Sequence, residues 1–292
     1  MEGKSKYEKP WSPFQIVMVV VCVLLMASVL APLLNILATS LSGKHAIAQG
    51  KVGLWPVEFT LEGYQMVFNN KNVVYSMFYS IFLTAAHTAY AVFFTVCAAY
   101  PLSKPWLKGR TFFLTMITIT MYVSAGTIPD YLLIKNMGML NTVWALLIPG
   151  MVTPFNLIIL RSFFQSISPS LFEAAEMDGC GQWGSMFKIA IPLSLPSVLT
   201  VALFYGVSRW NGVTDVMYYT NKTNLYTLQY HLKLMLDTVN IDYSKEEAAQ
   251  MLITPENLKS ATIIFAMAPM LVVYPFVQKF FTQGMNMGGV KE

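Results

Sequence analysis

The 292-residue chain carries long apolar runs and little charge: 55% of its residues are hydrophobic and 12% charged, which places it in the membrane class. A net charge of +4 is better explained by membrane topology than by nucleic acid, given where the basic residues fall. Three cysteines, Cys22, Cys97 and Cys180, offer neither a disulfide framework nor metal-ligand spacing, and read as structural thiols.

Six stretches lack Asp, Glu, Lys and Arg and are long enough to cross a bilayer, for which about 20 residues suffice. They lie near residues 14–40, 73–101, 111–129, 141–160, 189–206 and 260–278, so the expected fold is an all-α polytopic membrane protein with six transmembrane helices in a single domain. The first holds about fifteen Leu, Ile, Val or Phe residues. At about −0.3 to −0.6 kcal/mol each, these sum to roughly −5 to −9 kcal/mol of insertion energy with no charge opposing it. It is too long for a signal-peptide core and lacks a small-residue cleavage site, so it reads as a retained span. Six spans put both termini on one side. Lys4, Lys6 and Lys9 in the polar tail 1–13, and Lys104, Lys108 and Arg110 after the second span, make that side cytoplasmic, together with the loop 161–188.

In chain order, Trp11 and Phe14 fit an interfacial anchor. The first outer connection contains an amphipathic piece, 54–68, suited to loop packing or to lying on the membrane. In the second span His87 has no second His or carboxylate at helical spacing and reads as a hydrogen-bonded packing residue, while Ala85 and Ala89 offer a smooth face to another helix. The third span ends at Pro129-Asp130. The fourth contains Pro149, Pro154 and Asn156, a kinked pattern that fits either a path lining or a bent packing helix. The fifth starts among Pro192 and Pro196 and runs out at Arg209-Trp210-Asn211-Gly212. A long outer loop, 213–259, follows, with helical spacing of apolar residues at 226–239 and a charged stretch at 242–247. The last span contains Pro269 and Pro275, and Lys279 marks the return to the cytoplasm.

No phosphate-binding loop, nucleophile elbow, zinc motif or Cys/His cluster occurs, and no span carries a mid-membrane charge of the kind an ion-coupled carrier uses. A transport role would therefore draw its energy from another polypeptide. The stretch that could meet such a partner is 168–192, the longest moderately polar passage between two charge-free blocks. Ser170 and Glu173 have capping-box spacing behind Pro169, Gly179 is placed to end the helix, and a second short helix over 182–188 can follow.

Within this stretch, Glu173-Ala174-Ala175, three residues, Gly179, nine residues and then Ile189-Ala190-Ile191-Pro192 resemble the EAA loop of ABC importer permeases, with Ile191 where the family pattern has Leu. Asp178-Gly179 is similar to the sugar-permease form. NMGMLNTVWALLIPG before the fourth span, Trp210-Asn211 and the tail VVYPFVQKFFTQGMNMGGVKE extend the resemblance over most of the chain. Together they resemble carbohydrate-uptake permeases of the maltose-transporter type, in the branch related to oligosaccharide and polysaccharide-fragment import.

The resemblance implies a type I ABC importer permease fold in a bacterial cytoplasmic membrane, surrounded by lipid. It implies a second permease subunit in a heterodimer, two cytoplasmic ATPase subunits or domains that bind ATP and magnesium, and an extracellular solute-binding protein. The chain itself would be no enzyme and hold no cofactor or metal. Glu173, Ala174, Ala175, Asp178 and Gly179 would couple to the ATPase, small side chains allowing close approach, with Leu171, Phe172 and Met177 as docking neighbours. Sugars are held by aromatic faces and by amide or hydroxyl groups, so Tyr122, Asn156, Trp210 and Asn211 are expected along the substrate path; Asn211 can equally cap the fifth span. The alternatives are a peptide or amino-acid cargo in the same architecture, or a self-contained secondary carrier.

Overall fold

The protein is described by a computed structural model over residues 12–239 and 255–288, and every regular element among the described residues is helical. In chain order these are α1 (Pro13–Ser40), α2 (Lys44–Ala48), α3 (Glu62–Asn69), α4 (Lys71–Ser103), α5 (Arg110–Tyr122), α6 (Thr127–Asn136), α7 (Trp144–Leu147), α8 (Pro154–Ser166), α9 (Pro169–Met177) and α10 (Gln182–Ser185). A π turn (Met186–Ala190) leads into α11 (Ile191–Leu193), followed by α12 (Leu195–Trp210), α13 (Thr214–Tyr219), a 3-10 turn (Thr223–Leu225), α14 (Leu228–Val239) and α15 (Pro255–Gly288). Trp11 and residues 242–247 lie outside the described residues.

The described residues divide into two compact units, 12–69 with 239 and 255–265, and 70–238 with 266–288. In the first, α1 is an apolar rod whose side chains from Phe14 to Leu34 are nearly all exposed within the chain. Its start is a complete capping box: the Gln15 amide donates to Ser12 Oγ at 3.2 Å and the Ser12 amide to Gln15 Oε1 at 2.9 Å. At its other end Asn257 of α15 donates through Nδ2 to the Ser42 carbonyl at 2.7 Å, tying down a helix end that would otherwise expose carbonyls. The amphipathic piece 54–68 becomes an irregular segment and the short α3, with Gly63 and Val67 inward and Trp55 and Phe59 exposed.

The second unit is built on α4, against which α12 and α8 pack. Ala91, Thr95 and Ala99 are completely buried, and residues this small let helix backbones approach closely, the usual basis of helix association in lipid. Ala85 and Ala89, expected to be that face, are exposed instead; the seam runs through the 91–95–99 row because its four-residue repeat points at α12. Tyr205 closes it: its hydroxyl lies 2.7 Å from Thr95 Oγ1 and accepts from the Thr153 amide at 3.0 Å, so this buried phenol is satisfied. His87 packs as expected, with Nδ1 3.1 Å from the Leu147 carbonyl and its ring edge-on to Tyr205.

Helices and apolar stretches differ in instructive places. Three helices, Pro13–Ser40, Lys71–Ser103 and Glu256–Pro275, are long and apolar enough to cross a membrane, and two bent pairs bring the total to five if each is one span. The expected span 111–129 is one such pair: α5 and α6 meet at 118° across 123–126, where Gly126 takes φ 92°. The expected span 141–160 is mostly irregular up to Pro154, the first residue of α8. Helix α8 then runs past Leu160 to Ser166, and its 13 residues rise only about 20 Å. The expected span 189–206 is also bent, α10–α11 meeting α12 at 83°.

Candidate functional site

The stretch 168–193 forms a helix-turn-helix. Helix α9 begins two residues earlier than the Ser170–Glu173 spacing suggests, with Ser168 as N-cap and Pro169 at the first helical position, where its missing N–H costs nothing. The Ser168 hydroxyl bonds the Ser170 hydroxyl at 2.8 Å rather than an amide, so no side-chain capping box forms here. The other end follows the sequence closely. Gly179 has φ 80°, its N–H donates to the Glu176 carbonyl at 3.0 Å, and the Cys180 N–H donates to the Ala175 carbonyl at 2.8 Å. That pair of bonds is a Schellman motif, and the left-handed residue within it strongly favours glycine.

After the turn, α10, the π turn and α11 are one continuous helical run. Pro192 has no N–H to donate to the preceding turn, and the ladder slips just before it: the Ile191 amide donates to the Met186 carbonyl, five residues back.

Glu173, Ala174, Asp178 and Gly179 are exposed and Ala175 is half-buried. Around them lie Leu171, Met177 (89% exposed), Trp183 and Phe187, the last two stacked at 6.3 Å. Trp183 and Phe187 were not singled out from the sequence, although their four-residue spacing places them on one helix face. Phe172 does not join this surface; it turns inward against the core around Tyr100 and Phe164.

A buried cation underlies the unit. Lys104, just past the end of α4, is 9% exposed; its Nζ sits 3.0 Å above the centroid of the Phe172 ring and 4.8 Å from that of Tyr100. Desolvated contacts of this type contribute about 2 kcal/mol. Burial pushes the Lys104 ammonium below its usual range, and Glu176 opposes that shift. Glu176 in turn accepts from Gln182 Nε2 at 2.9 Å, and the Tyr100 hydroxyl reaches Gln182 Oε1 at 3.5 Å.

A second feature lies along α5. Ile117 packs against the core, whereas Leu114, also half-buried against it, and the exposed Ile119 share an outer groove with the hydroxyls of this helix. Thr111, Thr115, Thr118 and Tyr122, spaced four, three and four residues apart, line a groove of about 610 Å³ with Arg110 at one end. Tyr122 is 84% exposed. The Arg110 Nε is buried and has no hydrogen-bond partner among the described residues. The other expected path residues lie elsewhere: Asn156 is buried in α8 and Trp210 in α12, while Asn211 caps α12 through Nδ2 to the Val207 carbonyl at 2.9 Å.

At the far end of α12 the sequence reading missed an ion pair. Arg209 makes a two-pronged contact with Asp215, Nη2 to Oδ1 at 3.0 Å and Nη1 to Oδ2, and Nη1 also donates to the Leu146 carbonyl at 3.2 Å. Gly212 makes room for it, since a Cβ there would stand 2.7 Å from Nη2. The arrangement holds α13 against α7 and α12. Asn141, at φ 59°, closes the same region by accepting the Asn221 backbone amide through Oδ1 at 2.6 Å.

Residues 11–287 match the family described as binding-protein-dependent transport system inner membrane component, and the chain belongs to that family. It is similar to protein LplC of Bacillus subtilis (strain 168), 40% identical over 91% of this chain and 90% of the relative. The polygalacturonan/rhamnogalacturonan transport system permease protein YtcP of the same organism is 35% identical over 95% and 96%. Among solved structures, a chain of a bacterial ABC transporter involved in the import of the acidic polysaccharide alginate superimposes with a TM-score of 0.87 at 34% identity, covering 94% of this chain and 99% of that one. The chain is thus a permease subunit with the type I ABC importer fold, and not itself an enzyme.

Proposed function

We propose that this chain forms one half of the membrane path of an ATP-driven importer for an oligosaccharide, and that the exposed unit 168–193 receives the stroke of a cytoplasmic ATPase. The observation carrying the proposal is the exposure of Glu173, Ala174, Asp178 and Gly179 on a helix locked by a left-handed turn. Small side chains there let a partner surface come close to the backbone, and Leu171, Met177, Trp183 and Phe187 supply apolar area around them. Closure of two ATPases would carry the unit as a body, and packed helices answer such a displacement by moving as blocks.

The hydroxyl row Thr111, Thr115, Thr118 and Tyr122 is the proposed sugar-facing wall, completed by a second, different permease subunit. Hydroxyls and one aromatic ring suit a saccharide's alternation of polar edge and apolar face. Arg110 adds a cation able to meet a carboxylate, which agrees with the acidic polymers named for YtcP and for the alginate importer. A uronate-bearing oligosaccharide is therefore the expected cargo, delivered by an extracellular solute-binding protein. The termini and the unit 168–193 face the cytoplasm, as the clustering of Lys104, Lys108 and Arg110 directs. ATP and magnesium belong to the partner ATPases.

The test uses the assembled transporter in proteoliposomes with a radiolabelled oligogalacturonate. Glu173→Ala and Gly179→Val should abolish uptake or detach the ATPase; unchanged uptake and attachment in both would remove the unit from the coupling role. Arg110→Gln should weaken uptake of the oligogalacturonate far more than that of a neutral oligosaccharide.

A further inference from the structure

Coupling requires more than a docking surface: the unit that is pushed must be fastened to the helices that move. Helix α9 buries none of its side chains completely, and Phe172 is its main inward anchor. The ring of Phe172 is met by the Lys104 ammonium at 3.0 Å, and Tyr100, one turn before Lys104, supplies a second ring at 4.8 Å from the same nitrogen. Tyr100 also lies edge-on to Phe164 of α8 and reaches Gln182 of α10. One cation thus stands beside two rings that link α4 with α8, α9 and α10.

We propose that Lys104 is a positioning residue for coupling: its ammonium, held between the Phe172 and Tyr100 rings, fastens α9 to the end of α4 so that displacement of the helix-turn-helix is delivered to the path-lining helices. Apolar burial by itself has no preferred direction. A cation over a ring face has a preferred position, and burial withholds the water that would otherwise compete for it. The inference rests on the reading that 168–193 receives the ATPase stroke. Arginine can make the same contact, whereas methionine fills a similar volume without charge.

The experiment takes the complete transporter in nanodiscs, with the three native cysteines changed to serine and Thr115→Cys as reporter on the groove. Its labelling rate with a membrane-impermeant maleimide is compared between the nucleotide-free and the ATP-vanadate-trapped states. The reference protein should show a several-fold change in rate on trapping. Lys104→Met should keep the trapped ADP stoichiometry and lose most of that change, while Lys104→Arg should retain it. Full switching in Lys104→Met would overturn the proposal, as would loss of trapping in step with loss of switching, because the residue would then serve assembly alone. Failure of the reading beneath it is separable: a transporter whose Glu173→Ala and Gly179→Val forms still trap and switch normally has its coupling elsewhere.

Discussion

The two ends of α12 are built on opposite principles. At the Arg209 end, charge is folded inward: an arginine 6% exposed in its side chain is gripped by Asp215 and a carbonyl, and Asn141, Ser80 and His87 satisfy the backbone around it. At the 168–193 end, charge and large apolar groups point outward, while Phe172, Met186 and Ala190 pack inward and the Lys104 ammonium lies over the Phe172 ring. The first arrangement draws its partners from within one chain, leaving the buried Arg209 Nε without a hydrogen-bond partner among the described residues. The second leaves Met177, Trp183 and Phe187 exposed within this chain, as the proposed ATPase interface would require. Stability and function should accordingly separate between the two ends.

Mutation can break that contrast, and the largest effect is expected at the inward end. Asp215→Ala strands a buried guanidinium, and breaking such a pair costs about 3 kcal/mol or more; thermal unfolding in detergent should show a clear fall in Tm, with ATPase attachment retained below that temperature. Next, Gly179→Val forces a β-branched residue to φ 80°, a strain of about 1–2 kcal/mol in the left-handed region. Its unfolding shift should be smaller than that of Asp215→Ala while its coupling loss is larger, and the reverse order would erase the distinction drawn here. Glu173→Ala, on an exposed face, should change stability by no more than about 0.5 kcal/mol and still impair coupling. The smallest effect concerns pH. Burial lowers the affinity of His231 on α14 for a proton, and its Nε2 has no partner among the described residues. The unfolded chain therefore binds the proton more readily, so the contribution of neutral His231 is present above about pH 6.5 and is lost as pH falls through the lowered folded value. His231→Phe should flatten the acid side of the Tm-versus-pH curve; an unchanged slope would assign it to other groups.

Much of this was legible in the chain. Helices α1 and α4 read directly because each is a long apolar run without mid-span charge, and Pro32 does not end α1. The Gly179 turn read correctly because a left-handed C′ position and glycine select one another. The Ser170–Glu173 box misled, since a proline at 169 already fixes the helix start, whereas the real box at Ser12 and Gln15 went unremarked. The bend after α5 was hidden because residues 123–126 are no more polar than a span; only the backbone of Gly126 betrays it. Helix α8 was cut short at Leu160 by the rule against charge, yet Arg161 is accommodated by donating through Nε to the Leu102 carbonyl at 3.1 Å. Arg209 and Asp215 were missed because a helix end and a turn stand between them. Gly212, which leaves room for the guanidinium, was the available clue.

The corner at Ser194 has a mechanical consequence. The Ser194 N–H donates to the Ala190 carbonyl, while its own carbonyl accepts from the Ser197 and Val198 amides, so the bend is braced on both sides. It forms a bracket with two helical arms. The arm 182–193 is about 18 Å long and α12 about 24 Å. Pivoted at Ser194, such a bracket is a bell crank: a push across the short arm becomes a swing of the long one, turned by 83°. For a given rotation the tip at Trp210 travels about a third further than the tip at Gln182, by the ratio of the two lengths. The gearing is already cut into the backbone.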